Sequence, residues 1–150
     1  MKKTSVILLI VISLAYIIFI SFSFFAHAAP PAPDVSIGDK NIPTSQGSYC
    51  WEGFLSGECV DKVYASPMEL GTEHKATEVS PHSRITIHFS KEPMKENFRV
   101  EQWSDEEDVK NIKIKDNMIT VPDKSGIYVY HIIAHWKQGD SNYAFSVQVK

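Results

Sequence analysis

The spacing of two histidines first suggests chemistry in this chain. His131 and His135 lie within residues 127–136, an apolar stretch that is the longest strand candidate. Four residues along a strand span about 13 Å, so one metal ion with bonds of about 2 Å cannot bind both side chains directly. Each histidine would need partners from a neighbouring strand, and Arg99 and Glu101 are the candidates. No metal site is predicted without such partners.

The chain has only two cysteines, Cys50 and Cys59. An even number of cysteines in an exported chain predicts a disulfide, and Gly53 and Gly57 allow the chain between them to turn back. The spacing is not that of a C-x-x-C redox motif, and two thiols are too few for a zinc site. Closing so short a loop contributes about 2–3 kcal/mol by the chain-entropy model.

Three aromatic residues surround this cysteine pair: Tyr49, Trp51 and Phe54. One interpretation is a small apolar core that packs on the disulfide. The other is a rigid aromatic platform for a protein or a glycan, since a disulfide-bound loop loses little entropy on binding.

No catalytic motif accompanies these residues. The sequence contains neither G-x-S-x-G nor H-E-x-x-H, and no glycine-rich phosphate loop. The acidic run DEED at residues 105–108 predicts a solvated turn. The alternative is a weak Ca²⁺ site, since carboxylate oxygens are present, although their spacing is not that of a known calcium loop. We therefore expect no enzyme activity and no cofactor.

Composition and charge narrow the class of protein. The 150 residues carry a net charge of −3, and 43% are hydrophobic. Many of the apolar residues lie in the first 28 positions, and about 120 residues remain for one domain with a real core. Because Lys2 and Lys3 belong to the leader, which has no acidic residue, residues 29–150 are still more acidic. This balance argues against nucleic-acid binding, and the single long apolar run excludes a polytopic membrane protein.

The leader has the layout of a secretory signal peptide over residues 1–28. Lys2 and Lys3 precede an apolar run at residues 5–25, and the A-x-A sequence AHA at 26–28 predicts cleavage after Ala28. The run is long enough to remain as a single-helix membrane anchor, which is the alternative. Both interpretations place residues 29–150 outside the cytoplasm. Residues 29–34, APPAPD, predict a stiff proline-rich spacer.

Short strands separated by turn residues predict an all-β domain over residues 35–150, with the disulfide on its N-terminal extension. The candidates include residues 84–89, 98–103, 127–136 and 143–149. In the third of these, alternation directs Tyr128 and Trp136 inward, whereas Val129, Ile133 and both histidines face outward.

The sequence DKSGIYVY at residues 123–130 resembles the tyrosine corner of immunoglobulin-like domains. This resemblance covers about residues 76–150 and implies an immunoglobulin-like β-sandwich. Residues 84–89 and 98–103 would be strands B and C, with Trp103 as the core tryptophan, and the last two candidates would be strands F and G. Tyr130 stands where antibody domains have a cysteine, so no inter-sheet disulfide is implied.

A second set of motifs resembles small exported proteins and lipoproteins of Bacillus-type bacteria. These motifs are GSYCW at 47–51, CVD at 59–61, GIYVY at 126–130, AHW at 134–136 and YAF at 143–145. The resemblance implies an extracytoplasmic domain of unknown function. The chain lacks the lipid-acceptor cysteine of the lipoprotein members.

The expected function is a non-catalytic binding module of the bacterial cell envelope whose partner is a surface protein or a glycan. Its expected binding residues are Tyr49, Trp51, Phe54, Arg99, Glu101, His131 and His135. One alternative is a protease inhibitor that presents the loop between the cysteines around Trp51. Another is a small metal-assisted hydrolase that uses His131 or His135.

Overall fold

The computed structural model describes residues 2–26, 29–53 and 56–150, and within the first helix it describes the side chains of residues 7–20. Helix α1 spans Lys2–Ala26. All of its described side chains are exposed, and none belongs to the buried core. The core of the domain is therefore complete without α1. The predicted cleavage sequence at 26–28 extends outside the described residues.

Eleven strands and one short helix, α2, follow α1 among the described residues. They are β1 (Pro33–Ile37), β2 (Lys40–Asn41), β3 (Ser45–Glu52), β4 (Gly57–Val60), α2 (Pro67–Gly71), β5 (Thr77–Val79), β6 (Arg84–Phe89), β7 (Arg99–Trp103), β8 (Val109–Ile112), β9 (Met118–Thr120), β10 (Gly126–Trp136) and β11 (Gly139–Val149).

The strands form an all-β sandwich, as the sequence predicts. The smaller sheet has the order β2-β1-β6-β9, and the larger sheet has the order β4-β3-β11-β10-β7-β8. Strand β5 lies beside β11 as a parallel neighbour, whereas the other pairs are antiparallel. The disulfide-bearing segment is thus part of the larger sheet, since β3 pairs with β11.

The core lies between the two sheets because strand alternation directs one face of each sheet inward. Ile85, Ile87 and Phe89 of β6 meet Tyr130 and Phe145 of the long central strands, and all five are buried. The rings of Tyr130 and Phe145 stack with their centroids 5.1 Å apart.

A side-chain hydrogen bond connects the start of β10 to the turn before it. The hydroxyl of Tyr128 donates to the backbone carbonyl oxygen of Lys124, four residues upstream, at 2.9 Å. This contact closes the turn that leads from the smaller sheet into the larger one.

Two sequence predictions are wrong in detail. Trp103 shares the outward face of β7 with Arg99 and Glu101 and is only half-buried, while the core tryptophans are Trp51 and Trp136. The reason is strand parity, which places Gln102 rather than Trp103 on the inner face, where its side chain meets the hydroxyl of Tyr130.

The proline-rich segment is not a free spacer. Pro30 and Pro33 are buried, and β1 already begins at Pro33. The hydroxyl of Tyr143 donates to the carbonyl oxygen of Pro31 at 2.9 Å. The prediction of a stalk over residues 29–34 fails because prolines also offer apolar surface, which here packs on the sandwich.

Candidate functional site

The outer side of the larger sheet collects most of the polar residues that the sequence singles out. The register places His131 opposite Glu101 of β7 and opposite Ala144 of β11, and it places His135 opposite Asp140. Side chains at paired positions share one face of a sheet. We call this surface the histidine face and define it by Arg99, Glu101, His131, His135, Asp140 and Asn142.

The imidazole of His131 is held from two sides. Its side chain is 12% exposed, and Nδ1 lies 3.3 Å from Oε2 of Glu101. Nε2 lies 3.3 Å from Oδ1 of Asn142. The amide of Asn142 donates through Nδ2 to the carbonyl oxygen of Ser48 at 2.9 Å, which directs its oxygen toward the ring. Asn142 and Glu101 thus contact the two nitrogens of the imidazole ring from opposite sides.

Glu101 connects this histidine to the neighbouring strand. Its Oε1 lies 3.4 Å from Nε of Arg99, and its Oε2 accepts a hydrogen bond from Nε1 of Trp103 at 3.3 Å. Glu101 is thus a cross-strand partner of His131, as the sequence predicts, whereas Arg99 is opposite Ile133 and contacts Glu101 rather than a histidine. The carboxylate has partners on several sides, so its position is fixed before any ligand arrives.

Sequence reasoning missed two members of this network, Asn142 and Tyr64. Tyr64 lies in the loop after β4, and its hydroxyl donates to Oδ1 of Asn142 at 3.0 Å. Gly47 allows this approach, because a Cβ atom there would lie 2.1 Å from Oδ1 of Asn142. No local pattern signals these contacts, since they join residues far apart in the chain.

Helix α2 covers the part of the larger sheet's outer face around Val129 and Ala144, which we call the upper half of this face. Leu70 packs against Val129 and Ala144, with the partly buried Met68 and Trp103 beside them. Val129 is therefore fully buried although its parity points it away from the main core, which the sequence alone does not indicate. We call the part around His135 and Asp140 the lower half, and among the described residues no helix packs on it.

The predicted disulfide between Cys50 and Cys59 is confirmed. The two cysteines are directly opposite each other on β3 and β4, and both are exposed. Cys50 is also opposite Asp140 of β11, so the disulfide lies beside the lower half of the histidine face.

The aromatic residues near the disulfide face the other way. Trp51 is only 6% exposed, and its ring meets that of Trp136 edge to face at 5.4 Å. Tyr49 is half-buried and packs against the same core. The platform interpretation is wrong for Trp51, because cross-strand parity sends it inward while the cysteines face outward. Phe54 lies outside the described residues.

A cleft of about 520 Å³ opens beside the disulfide at the lower end of the sheet. Its lining includes both cysteines, His135, Asp140, Glu58 and Met94. The side chains of His135 and Asp140 have no hydrogen-bond or ionic partner among the residues that the structure describes. The cleft thus places uncommitted polar groups next to a covalently braced hairpin.

Metal binding finds no support in the described part of the chain. No three His, Cys, Asp or Glu side chains converge there at metal-binding distance. In the acidic run, the backbone N–H groups of Glu107 and Asp108 donate to Asp105, and these hydrogen bonds hold the pKa of Asp105 below its usual value. The run is an exposed turn that uses its own backbone as a partner.

Two findings bear on where the protein resides. The disulfide is consistent with an extracytoplasmic location, because such bonds persist in oxidising compartments. Among the described residues, no helix is long and apolar enough to cross a membrane.

Comparison with known proteins places the chain in no established group. No family model, no curated protein and no solved structure matches it.

Proposed function

We propose that this chain is an exported, non-catalytic binding module that binds a protein or a glycan of the cell envelope through the lower half of its histidine face. The observation that carries the proposal is the division of the larger sheet's outer face. The upper half is closed by α2, whereas the lower half presents His135 and Asp140 beside a cleft. The disulfide braces the hairpin beside this cleft, and a surface that is rigid before binding loses little entropy when a ligand binds.

Export is supported by two independent features. The leader over residues 1–28 has a basic start, an apolar run and an A-x-A sequence. The disulfide between Cys50 and Cys59 requires an oxidising compartment to persist. The proposal is that the leader directs residues 29–150 across the cytoplasmic membrane.

The proposed subtype of the sandwich is immunoglobulin-like. One sheet contains β1, β6 and β9, and the other contains β7, β10 and β11, which correspond to strands A, B, E and C, F, G of that fold. The hydroxyl contact of Tyr128 with Lys124 supports this assignment. In this description the histidine face lies on the C-F-G sheet.

A pair of matched variants tests the binding surface. The test variant replaces His135 and Asp140 by alanine. The control replaces His88 and Asp34, which are the same residue types, directly opposite each other on β6 and β1 of the smaller sheet, and both exposed. Residues 29–150 of each form are immobilised and exposed to envelope proteins and purified wall polysaccharide.

The proposal predicts a ligand that the natural chain and the control retain and the test variant releases, with binding at least tenfold weaker. The side chains of His135 and Asp140 belong to neither core cluster, so alanine at these positions should leave the fold intact, which circular dichroism verifies. Equal binding by all three forms, or no bound ligand, would rule out this surface.

The second candidate is a protease inhibitor that presents the β3–β4 hairpin. Its support is the braced tip, where the backbone N–H of Gly53 donates to the carbonyl oxygen of Ser56 at 2.8 Å, next to the disulfide. Because Trp51 is buried, it would not itself be presented to the protease. Inhibition of extracellular proteases by residues 29–150, lost on reduction of the disulfide, is the result that would favour it.

A further inference from the structure

The two outer strands of the larger sheet carry opposite charge. Strand β4 contains Glu58 as its one charged residue. Strand β8 contains Lys110 as its one charged residue. Each strand is four residues long, and each is at an edge of the sheet. Among the described residues, nothing pairs with the outer side of either strand.

The charges at these edges point to the inner side of the sheet. Glu58 is opposite Trp51, and Lys110 is opposite Gln102, both of which are inner-face residues. An inward charge on an edge strand normally prevents another strand from adding there. Addition of β4 to β4, or of β8 to β8, would also bring like charges together. Addition of β4 to β8 instead pairs Glu58 with Lys110.

The number of strands makes this pairing geometrically consistent. The path from β4 to β8 has six strands, and every neighbouring pair on it is antiparallel. Strand β8 therefore runs opposite to β4. A second copy in the same orientation presents β8 antiparallel to β4 of the first, with the core side of both sheets on the same side.

We propose that this chain associates with further copies of itself head to tail, with β8 of one copy added to β4 of the next. Parity of the inner faces allows Glu58 to stand opposite Lys110 in the new strand pair, and their opposite charges favour this register. The Nζ of Lys110 now lies 3.3 Å from Oδ2 of Asp108, and an exposed ion pair of this kind is exchanged at little cost. The interface is heterologous, so the assembly is open-ended rather than a closed dimer.

The two edges lie at different levels along the strands. Glu58 of β4 is level with Gly139 of β11 through Trp51, whereas Lys110 of β8 is level with Phe145 of β11 through Gln102 and Tyr130. Successive copies therefore step along the strand direction by about six residues, or roughly 20 Å. Such an array repeats the histidine face at regular intervals, although the association does not depend on the proposed function.

Charge reversal and charge exchange test the interface. Residues 29–150 are used, because the core contains no residue of α1. Sedimentation velocity is measured from micromolar to about millimolar concentration, at low salt and at about 1 M NaCl. We expect concentration-dependent association of the natural chain that weakens at high salt. Glu58→Lys alone and Lys110→Glu alone should each weaken association at least tenfold.

Two combinations restore the complementarity. The double variant Glu58→Lys with Lys110→Glu should associate like the natural chain, and so should an equimolar mixture of the two single variants. The control Lys40→Glu makes the same reversal on β2, an edge strand of the smaller sheet, and should change nothing. A natural chain that stays monomeric throughout, or single variants that associate unchanged, would overturn the proposal.

Discussion

At the scale of single residues, the histidine face depends on atoms whose orientation is decided by their neighbours. The Nδ2 atom of Asn142 donates to the carbonyl oxygen of Ser48, and its Oδ1 atom lies within hydrogen-bonding distance of His131 and Tyr64. The carboxylate of Glu101 accepts a hydrogen bond from Trp103 and lies within 4 Å of Arg99 and His131. A polar network with its members paired is rigid, and it favours one arrangement of the surface over the alternatives.

Buried phenols should make the protein sensitive to alkali. Burial raises the pKa of Tyr130 and of Tyr143 above the usual value. The stability that comes from keeping them neutral is fully present below about pH 10, the value for an unfolded chain, and is lost as the pH rises beyond it.

We therefore expect Tyr130 and Tyr143 in residues 29–150 to ionise only as the far-ultraviolet circular dichroism of the sandwich disappears. The variants Tyr130→Phe and Tyr143→Phe should each reduce the rise in tyrosinate absorbance that accompanies this unfolding. Reversible ionisation of every tyrosine in the folded protein would contradict this expectation.

At the scale of elements, the close approach of β3 to β11 brings the disulfide hairpin to the histidine face. The register at their crossing places Gly139 opposite Trp51. Gly139 has φ of +148°, and a Cβ atom there would lie 2.0 Å from the carbonyl oxygen of Cys50. Only glycine combines this backbone conformation with so short a distance between two backbones.

Substitution of this glycine should separate the two strands. We expect Gly139→Ala to lower the free energy of unfolding by about 2–4 kcal/mol, because it adds steric overlap to backbone strain. The matched control is Gly38→Ala in the β1–β2 turn, where φ is +55° and no atom lies within 4 Å of the added Cβ.

The control should cost only about 1 kcal/mol, from strain alone. Urea unfolding of both variants in residues 29–150 measures the difference. Equal losses would show that the approach of β3 to β11 adjusts without cost.

At the scale of the whole molecule, the chain has two parts that differ in their surroundings. The described side chains of α1 are exposed, with their large apolar members between 46% and 68% accessible, whereas the sandwich buries its apolar residues between two sheets. The first ordered contacts after the leader are those of Pro30 and Pro31 with the sandwich. The domain therefore begins almost directly after the predicted cleavage point.

Truncations locate this beginning. A chain that starts at Ala29 should melt as a complete domain. A chain that starts at Pro33 should be less stable by about 1–2 kcal/mol, because it loses the hydrogen bond from Tyr143 to Pro31 and the buried surface of Pro30. Calorimetry of both chains makes the comparison, and identical melting temperatures would mean that residues 29–32 act only as a spacer.

Local patterns predicted part of the secondary structure of the domain. The alternation of residues 84–89 reproduces β6 in full, whereas α2 and the β3–β4 hairpin had no such signal. The disulfide followed from cysteine number and the leader. The burial of single residues was harder to predict. Trp103 was expected in the core, but the adjacent Gln102 lies there instead, because a shift of one residue exchanges the two faces of a strand.

The sequence by itself determined that this is an acidic, all-β domain behind an apolar leader, because composition and alternation depend only on neighbouring residues. Only the tertiary structure decided what lies on each surface. It turned Trp51 into the core, covered Val129 with α2 and brought Tyr64 and Asn142 to His131. These contacts join residues far apart in the chain, and they depend on strand order and register, which no local pattern encodes.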